Sequence, residues 1–167
     1  MTNCQKIKMV CCDIDGTLTD GTVFYSAAGE EFKQFSHRDG RAFHLLKFYN
    51  VIVVLITSEE CEINEARGCK FLGLGTVDQY ISTDDKKEAV LDFAQQYGMS
   101  LSEILYIGDD TNDAEAMDVC GYNACPVDAR PEIVMRENII VSRHGGGKGA
   151  VRDIIDTIIA KGLFEEK

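Results

Sequence analysis

Ile7-Lys8-Met9-Val10-Cys11-Cys12-Asp13-Ile14-Asp15-Gly16-Thr17 is the stretch on which the fold turns. Residues 7–12 are a short apolar run with β-branched members, the pattern of a buried strand. Two carboxylates follow at its C-terminal end, where open α/β sheets bind their ligands. Side chains at i and i+2 of an extended chain share a face, so Asp13 and Asp15 can address one reacting group. Gly16 lets the backbone leave the strand sharply, and Thr17 follows with a short hydroxyl. A carboxylate nucleophile beside a carboxyl acid/base is the pairing that an aspartyl-phosphate intermediate requires. The plain alternative for these residues is a polar loop after a core strand.

Two further apolar runs end in chemistry-bearing residues. Val51-Ile52-Val53-Val54-Leu55-Ile56 runs into Thr57-Ser58-Glu59, and Ile104-Leu105-Tyr106-Ile107 runs into Gly108-Asp109-Asp110-Thr111-Asn112-Asp113. Between them Lys86 opens an amphipathic helix whose apolar stripe is Ala89, Val90, Phe93, Ala94 and Tyr97. Taken in chain order, these segments resemble the four motifs of the haloacid dehalogenase superfamily of phosphohydrolases. The first motif there is a hydrophobic strand followed by DxDG[TV], and the fourth is GDDxxD.

The resemblance implies a Rossmann-like three-layer α/β/α fold around a central parallel sheet, and a Mg²⁺-dependent phosphohydrolase. Asp13 is then the nucleophile and Asp15 the acid/base, protonating the leaving alkoxide and later deprotonating the attacking water. Thr57 and Ser58 bind phosphoryl oxygens, and Lys86 offsets the charge of nucleophile and phosphate. Asp13, Asp109 and the backbone carbonyl of Asp15 hold Mg²⁺, with Asp110 and Asp113 supporting the site. Elementary electrostatics agrees, because a phosphate dianion repels an incoming carboxylate unless cations stand between them. For Lys86 or Asp113 alone a solvated helix-terminal charge is the plain reading, but four motifs in order behind three apolar strands weigh against it.

A chain of 167 residues fits one domain, residues 1–167. About forty residues separate the Asp13 and Thr57 motifs and about thirty separate Thr57 from Lys86, so neither gap holds a cap domain. The first gap predicts a β-hairpin flap over about 22–35: Thr22 to Tyr25, a turn over Ser26 to Glu30, then Glu31 to Phe35. A helix is expected from about Gly40 to Tyr49, and another over Ala150 to Ala160.

The resemblance narrows to capless phosphatases of 3-deoxy-2-keto sugar acids. It is carried by the hairpin from Thr19 to Tyr25, the F-x-x-x-D-G element from Phe35 to Gly40, Tyr106 to Asp113, and Gly146 to Arg152. It implies a homotetramer in which hairpins form a central barrel and neighbouring subunits, with their glycine-rich tails, complete each site. It also implies substrate contacts from Arg38, Asp39, Gly146 and Gly147, against the plainer readings of Asp39 as a helix cap and residues 143–149 as a loop.

The octulosonate-phosphate members usually read T-G-R after the second strand, where this chain has Thr57-Ser58-Glu59. Glu59, with Lys70, resembles the nononate-phosphate branch and points toward a nine-carbon acid if the two pair at the substrate; both could equally be surface charges. A non-catalytic oligomerisation module, like the domain fused to CMP-sialate synthetases, is the competing class, as is a phosphatase of another small metabolite. The retained Asp13, Asp15, Thr57, Lys86 and Asp109 favour the enzyme.

A net charge of −11 argues against nucleic acid or an anionic membrane as partner. No apolar run is long enough to span a bilayer, and residues 1–8 lack a signal-peptide pattern, so a cytoplasmic location is expected. The seven cysteines are odd in number and lack a C-x-x-C, which suggests reduced thiols, with Cys11 and Cys12 buried. His37, His44 and His144 form no metal-like cluster in sequence.

Overall fold

A computed structural model describes residues 5–165, apart from the side chains of residues 30 and 31. Six strands form the central sheet: β1 (Met9–Cys12), β4 (Ile52–Thr57), β5 (Gln79–Ser82), β6 (Ile104–Ile107), β7 (Tyr122–Cys125) and β8 (Ile140–Val141). Their spatial order is β5-β4-β1-β6-β7-β8, and every neighbouring pair is parallel. The chain starts in the middle, builds outward through β4 and β5, then crosses to β6 on the other flank of β1. That reversal makes the C-terminal end of β1 the switch point, where the sheet opens a crevice.

Alternation along β1 separates the two cores. Val10 and Cys12 face one side, with α1 (His37–Phe48), α2 (Glu62–Gly73) and α6 (Ala150–Ala160) contributing Phe43, Phe71 and Ile154. Met9 and Cys11 face the other, with α3 (Lys86–Gln96), α4 (Ala114–Val119) and α5 (Pro131–Val134) contributing Val90, Met117 and Ile133. Strands covered on both faces read as unbroken apolar runs, which is why the three strand motifs stand out in sequence. The result is the expected Rossmann-like α/β/α sandwich. Among the described residues, no helix is long and apolar enough to cross a membrane.

The hairpin is present but tighter than expected. β2 (Phe24–Ser26) and β3 (Gly29–Phe32) pair antiparallel, with only Ala27 and Ala28 between Ser26 and its partner Gly29. Gly29 adopts φ +121°, a region closed to most side chains, and this allows the short turn. Pairing ends at Phe32, so Lys33 to Phe35 leave the ribbon and run back to the body. Phe24, Tyr25 and Phe32 are 60%, 69% and 69% exposed.

Helix α1 starts at His37 rather than near Gly40, because the Ser36 hydroxyl accepts the Arg38 N–H at 3.1 Å and caps it. Cys11, Cys12 and Cys125 are buried free thiols, Cys61, Cys69 and Cys120 are free and less enclosed, and Cys4 lies outside the described residues.

Asp153 of α6 ties that helix to the segment leaving β8. It accepts from Ser142 Oγ at 3.1 Å, the Arg143 N–H at 2.8 Å and Arg143 Nε at 3.0 Å. The Arg143 bond, opposed by partial burial, holds the Asp153 pKa down at about 2. A depressed carboxylate stabilises the fold above its unfolded value near ~4 and loses that contribution as pH falls toward the folded value. Arg143→Ala is therefore expected to lower the urea midpoint at neutral pH, with the gap to the parent narrowing below about pH 4. A gap constant across that range would contradict the assignment.

Candidate active site

Three strand ends and one helix start meet above β1. Asp13 leaves β1, Thr57 ends β4, Gly108 to Asp113 follow β6, and Lys86 is the first residue of α3. Asp13, Thr57 and Asp109, together with Asp15, Gly16, Gly21, Ser58, Glu59, Asp110 and Asn112, line a cleft of about 300 Å³. Lys86 is not in the cleft's lining but beneath it. Asp85 caps α3 by accepting the Glu88 N–H at 2.9 Å, which fixes where Lys86 starts.

The Lys86 ammonium lies 2.7 Å from Asp13 Oδ1 and 2.7 Å from Asp113 Oδ1, with the side chain 1% exposed. Burial pulls its pKa down, but Asp13 and Asp113 outweigh that and the net shift is upward. Asp113 is wholly committed: Oδ1 also accepts the Tyr106 hydroxyl at 2.8 Å, and Oδ2 accepts the Asp109 and Asp110 N–H groups at 2.9 and 3.2 Å. It holds Lys86 and the 109–110 backbone in place, rather than offering a free oxygen to an ion.

Oxygens of Asp13, Asp109 and Asp113 lie within 4.8 Å of one another. Burial first, and Asp113 next, push the Asp13 carboxyl well above its usual range despite the pull of Lys86. The same two causes raise Asp109 to about 6. Three carboxylates with one ammonium leave uncompensated negative charge. All available donors are hard oxygens, a set that suits Mg²⁺. Among the described residues no donor reaches the Asp15 carbonyl, which leaves it open to a cation. The residues therefore fit the ion: Asp13, Asp109 and the Asp15 carbonyl can hold it, with Asp110 at the rim.

Two glycines make this convergence possible. A Cβ on Gly16 would stand 2.1 Å from Asp109 Oδ2, and Gly16 adopts φ +87°. A Cβ on Gly108 would stand 2.4 Å from the Asp113 carboxylate. Thr17 Oγ1 then donates to Asp109 Oδ1 at 3.2 Å, tying the first and fourth motifs together.

Thr57 and Ser58 face the cleft as anticipated. The Thr57 hydroxyl accepts the Glu59 N–H at 3.1 Å and donates to Asp15 Oδ2 at 3.3 Å, while Asn112 Nδ2 donates to Ser58 Oγ at 3.2 Å.

The outer residues that the resemblance assigns to substrate make contacts within this chain. Asp39 is 1% exposed, and its carboxylate accepts the N–H groups of Gly149 at 3.2 Å and Arg152 at 2.9 Å. It caps α6 rather than its own helix. Arg38 lines a separate cleft with Arg143, His144 and Arg152. Gly146 and Gly147 pack under the Asp13 loop of their own chain: the Gly147 N–H donates to Thr17 O at 3.1 Å, and a Cβ on Gly146 would lie 1.9 Å from Gly16 O. That close approach by itself requires glycine at Gly146. Lys70 is exposed in the last turn of α2, and Glu59 pairs instead with Lys33 at 2.6 Å.

Two site residues escaped sequence reasoning. Lys33, just past β3, reaches Asp15 Oδ1 at 2.8 Å, and Asn64 on α2 donates to Asp15 Oδ2 at 2.6 Å. Burial lowers the Lys33 pKa, but its bonds to Asp15 and Glu59 raise it further, for a net upward shift. The only sequence signal for Lys33 is a cation on a strand between Phe32 and Phe35; nothing marks Asn64.

The model of the family described as haloacid dehalogenase-like hydrolase matches residues 59–145. The 3-deoxy-D-manno-octulosonate 8-phosphate phosphatase of Salmonella typhi is 32% identical over 167 residues, covering 99% of this chain and 87% of that protein. The cobalt-bound deoxy-D-mannose-octulosonate 8-phosphate phosphatase of Haemophilus influenzae superposes with TM-score 0.84 at 32% identity, over 94% of this chain and 90% of that one. The Moraxella catarrhalis 3-deoxy-D-manno-octulosonate 8-phosphate phosphatase, in complex with magnesium, phosphate and KDO, gives 0.82 at 30% identity, over 92% and 86%. The chain thus belongs to the haloacid dehalogenase-like hydrolases, in the capless branch that holds these enzymes, and is a phosphoric monoester hydrolase.

Removing the Lys86 charge leaves Asp13 and Asp113 buried and unpaired. Lys86→Met is expected to cost about 3–5 kcal/mol in urea unfolding without divalent ions. A loss below about 1 kcal/mol, the value typical of an exposed pair, would show that Lys86 does not hold the cluster.

Proposed function

We propose that this chain hydrolyses the phosphate monoester of a 3-deoxy-2-keto sugar acid, with Mg²⁺ as cofactor and an aspartyl phosphate on Asp13 as intermediate. The observation that carries the proposal is the Asp13–Lys86–Asp113 cluster facing Asp109 beneath an open cleft. When bound, Mg²⁺ supplies positive charge against the phosphate, held by Asp13, Asp109 and the Asp15 carbonyl.

Asp13 attacks phosphorus, and the ester oxygen leaves as Asp15 delivers a proton to it. Asp15, now a carboxylate, takes a proton from water as that water attacks the phosphoryl group, returning Asp13 free and releasing phosphate. Lys86 keeps the Asp13 oxygen oriented and lowers repulsion from the incoming dianion. Thr57 and Ser58 line the wall that the phosphoryl oxygens meet.

The octulosonate 8-phosphate named for the relatives is the first candidate substrate. A pairing of Glu59 with Lys70 was the physical ground for a nine-carbon acid, and the Glu59–Lys33 bond weakens it. The exposed aromatic face of the hairpin supports a homotetramer whose neighbours complete each cleft, in keeping with the marginal stability of isolated two-stranded ribbons.

Purified protein is expected to release phosphate from octulosonate 8-phosphate or nononate 9-phosphate only with Mg²⁺, and Asp13→Asn to lose this activity. Metal-independent release, or full activity in Asp13→Asn, would overturn the proposal. Light scattering is expected to give four chains, and Tyr25→Asp to shift the mass downward; a monomeric parent would exclude the tetramer.

A further inference from the structure

Asp15 is held from three directions, and one of them is the hairpin. Lys33 Nζ donates to Oδ1 at 2.8 Å, while Asn64 Nδ2 at 2.6 Å and Thr57 Oγ1 at 3.3 Å donate to Oδ2. These donors come from the segment after β3, from α2 and from the end of β4. An oxygen pair bonded from three separate elements cannot rotate freely. Proton transfer to a reacting group asks for that kind of fixed placement.

The Lys33 ammonium also meets Glu59 Oε2 at 2.6 Å, Cys61 Sγ at 3.3 Å and Asn64 Oδ1 at 3.5 Å. Its side chain is 0% exposed, although it comes from a hairpin whose strands, among the described residues, pair only with each other. Closing a lysine off from water costs hydration and rotamer entropy, so the ammonium stays only where carboxylates compensate it. Here one of the two carboxylates is the acid/base itself. Cys61 contributes a further contact, and it caps α2 by accepting the Asn64 N–H at 3.5 Å, so the Asn64 side chain is aimed by the same group.

Resting on the phosphatase reading above, we infer that Lys33 is a positioning residue that aims Asp15 at the leaving oxygen and links hairpin placement to proton transfer. Lys33 makes and breaks no bond to substrate in this account. It restricts the carboxyl of Asp15, and Asn64 restricts it from the other oxygen. Hairpin movement therefore releases one side of the acid/base, so whatever packs on Phe24, Tyr25 and Phe32 bears on the chemistry through Lys33.

The test compares kcat/KM for two esters in Lys33→Met, Lys33→Gln and Lys33→Arg. An alkoxide must be protonated as it leaves, whereas the phenolate of p-nitrophenyl phosphate leaves without help. Lys33→Met is expected to lose about tenfold or more on octulosonate 8-phosphate and less than about threefold on p-nitrophenyl phosphate, with Lys33→Arg recovering part of the loss. Equal losses on both esters, or none on either, would overturn the inference. Lys33→Gln gives the same comparison should the methionine variant not fold.

A readout independent of turnover is hydrogen exchange over residues 24–32. It is expected to speed up several-fold in Asp15→Asn, which weakens the hairpin's hold on the body; unchanged exchange also overturns the inference. Absence of phosphate release by the parent chain would instead sink the proposed reaction, while the exchange result still reports on Lys33.

Discussion

The buried ammonium of Lys86 lies between carboxylates that would otherwise repel one another at the ends of two adjacent strands. Asp13 directly follows β1 and Asp113 lies in the segment after β6, and these strands pair in register from Met9–Ile104 to Cys12–Ile107. The two carboxylates are thus brought together by the sheet itself. One lysine offsets part of their charge, and the divalent cation proposed above would offset more. The same placement fixes the orientation of Asp13, the nucleophile in the proposed reaction, so fold stability and that chemistry would draw on one set of contacts.

Around that cluster the chain builds a series of braces that end far from the chemistry. Gly146 and Gly147 support the Asp13 loop, Gly149 leads into α6, and Asp39 of α1 caps that helix. Asp153 then secures α6 to the segment after β8. Asp39, Gly146 and Gly147, which resemble substrate contacts in sequence, thus also support the loop's position within one chain. Arg38, whose side chain packs beside Gly149, faces its own cleft.

Much of the site was legible because its determinants are local. Asp13, Asp15, Thr57 and Asp109 each follow an apolar strand run, and parallel strands deliver their C-terminal residues to one edge. Lys86 was legible only through the resemblance and the order of the motifs, since its place at a helix start alone reads as a solvated charge. The helix Ala150–Ala160 and the strand Ile104–Ile107 appear with the bounds read from the sequence. What was not legible depends on tertiary approach. Lys33 reaches Asp15 only because the ribbon ends at Phe32 and folds back, and Asn64 only because α2 sits beside the cleft. The purpose of Gly146 is a backbone contact with Gly16, about 130 residues earlier in the chain, which no local pattern encodes. Ser36, a short polar residue, outweighed Gly40 as the start of α1 because a side-chain cap satisfies the first-turn N–H groups.

The most direct test of the account is to find where the phosphoryl group resides during turnover. Protein mixed with substrate and Mg²⁺, quenched in acid within one turnover and digested, can be searched by mass spectrometry for a phosphorylated peptide. The account predicts an acyl phosphate on Asp13, lost in Asp13→Asn. Phosphate release with no phosphoryl-enzyme at any time point, or with the group on another residue, would contradict it.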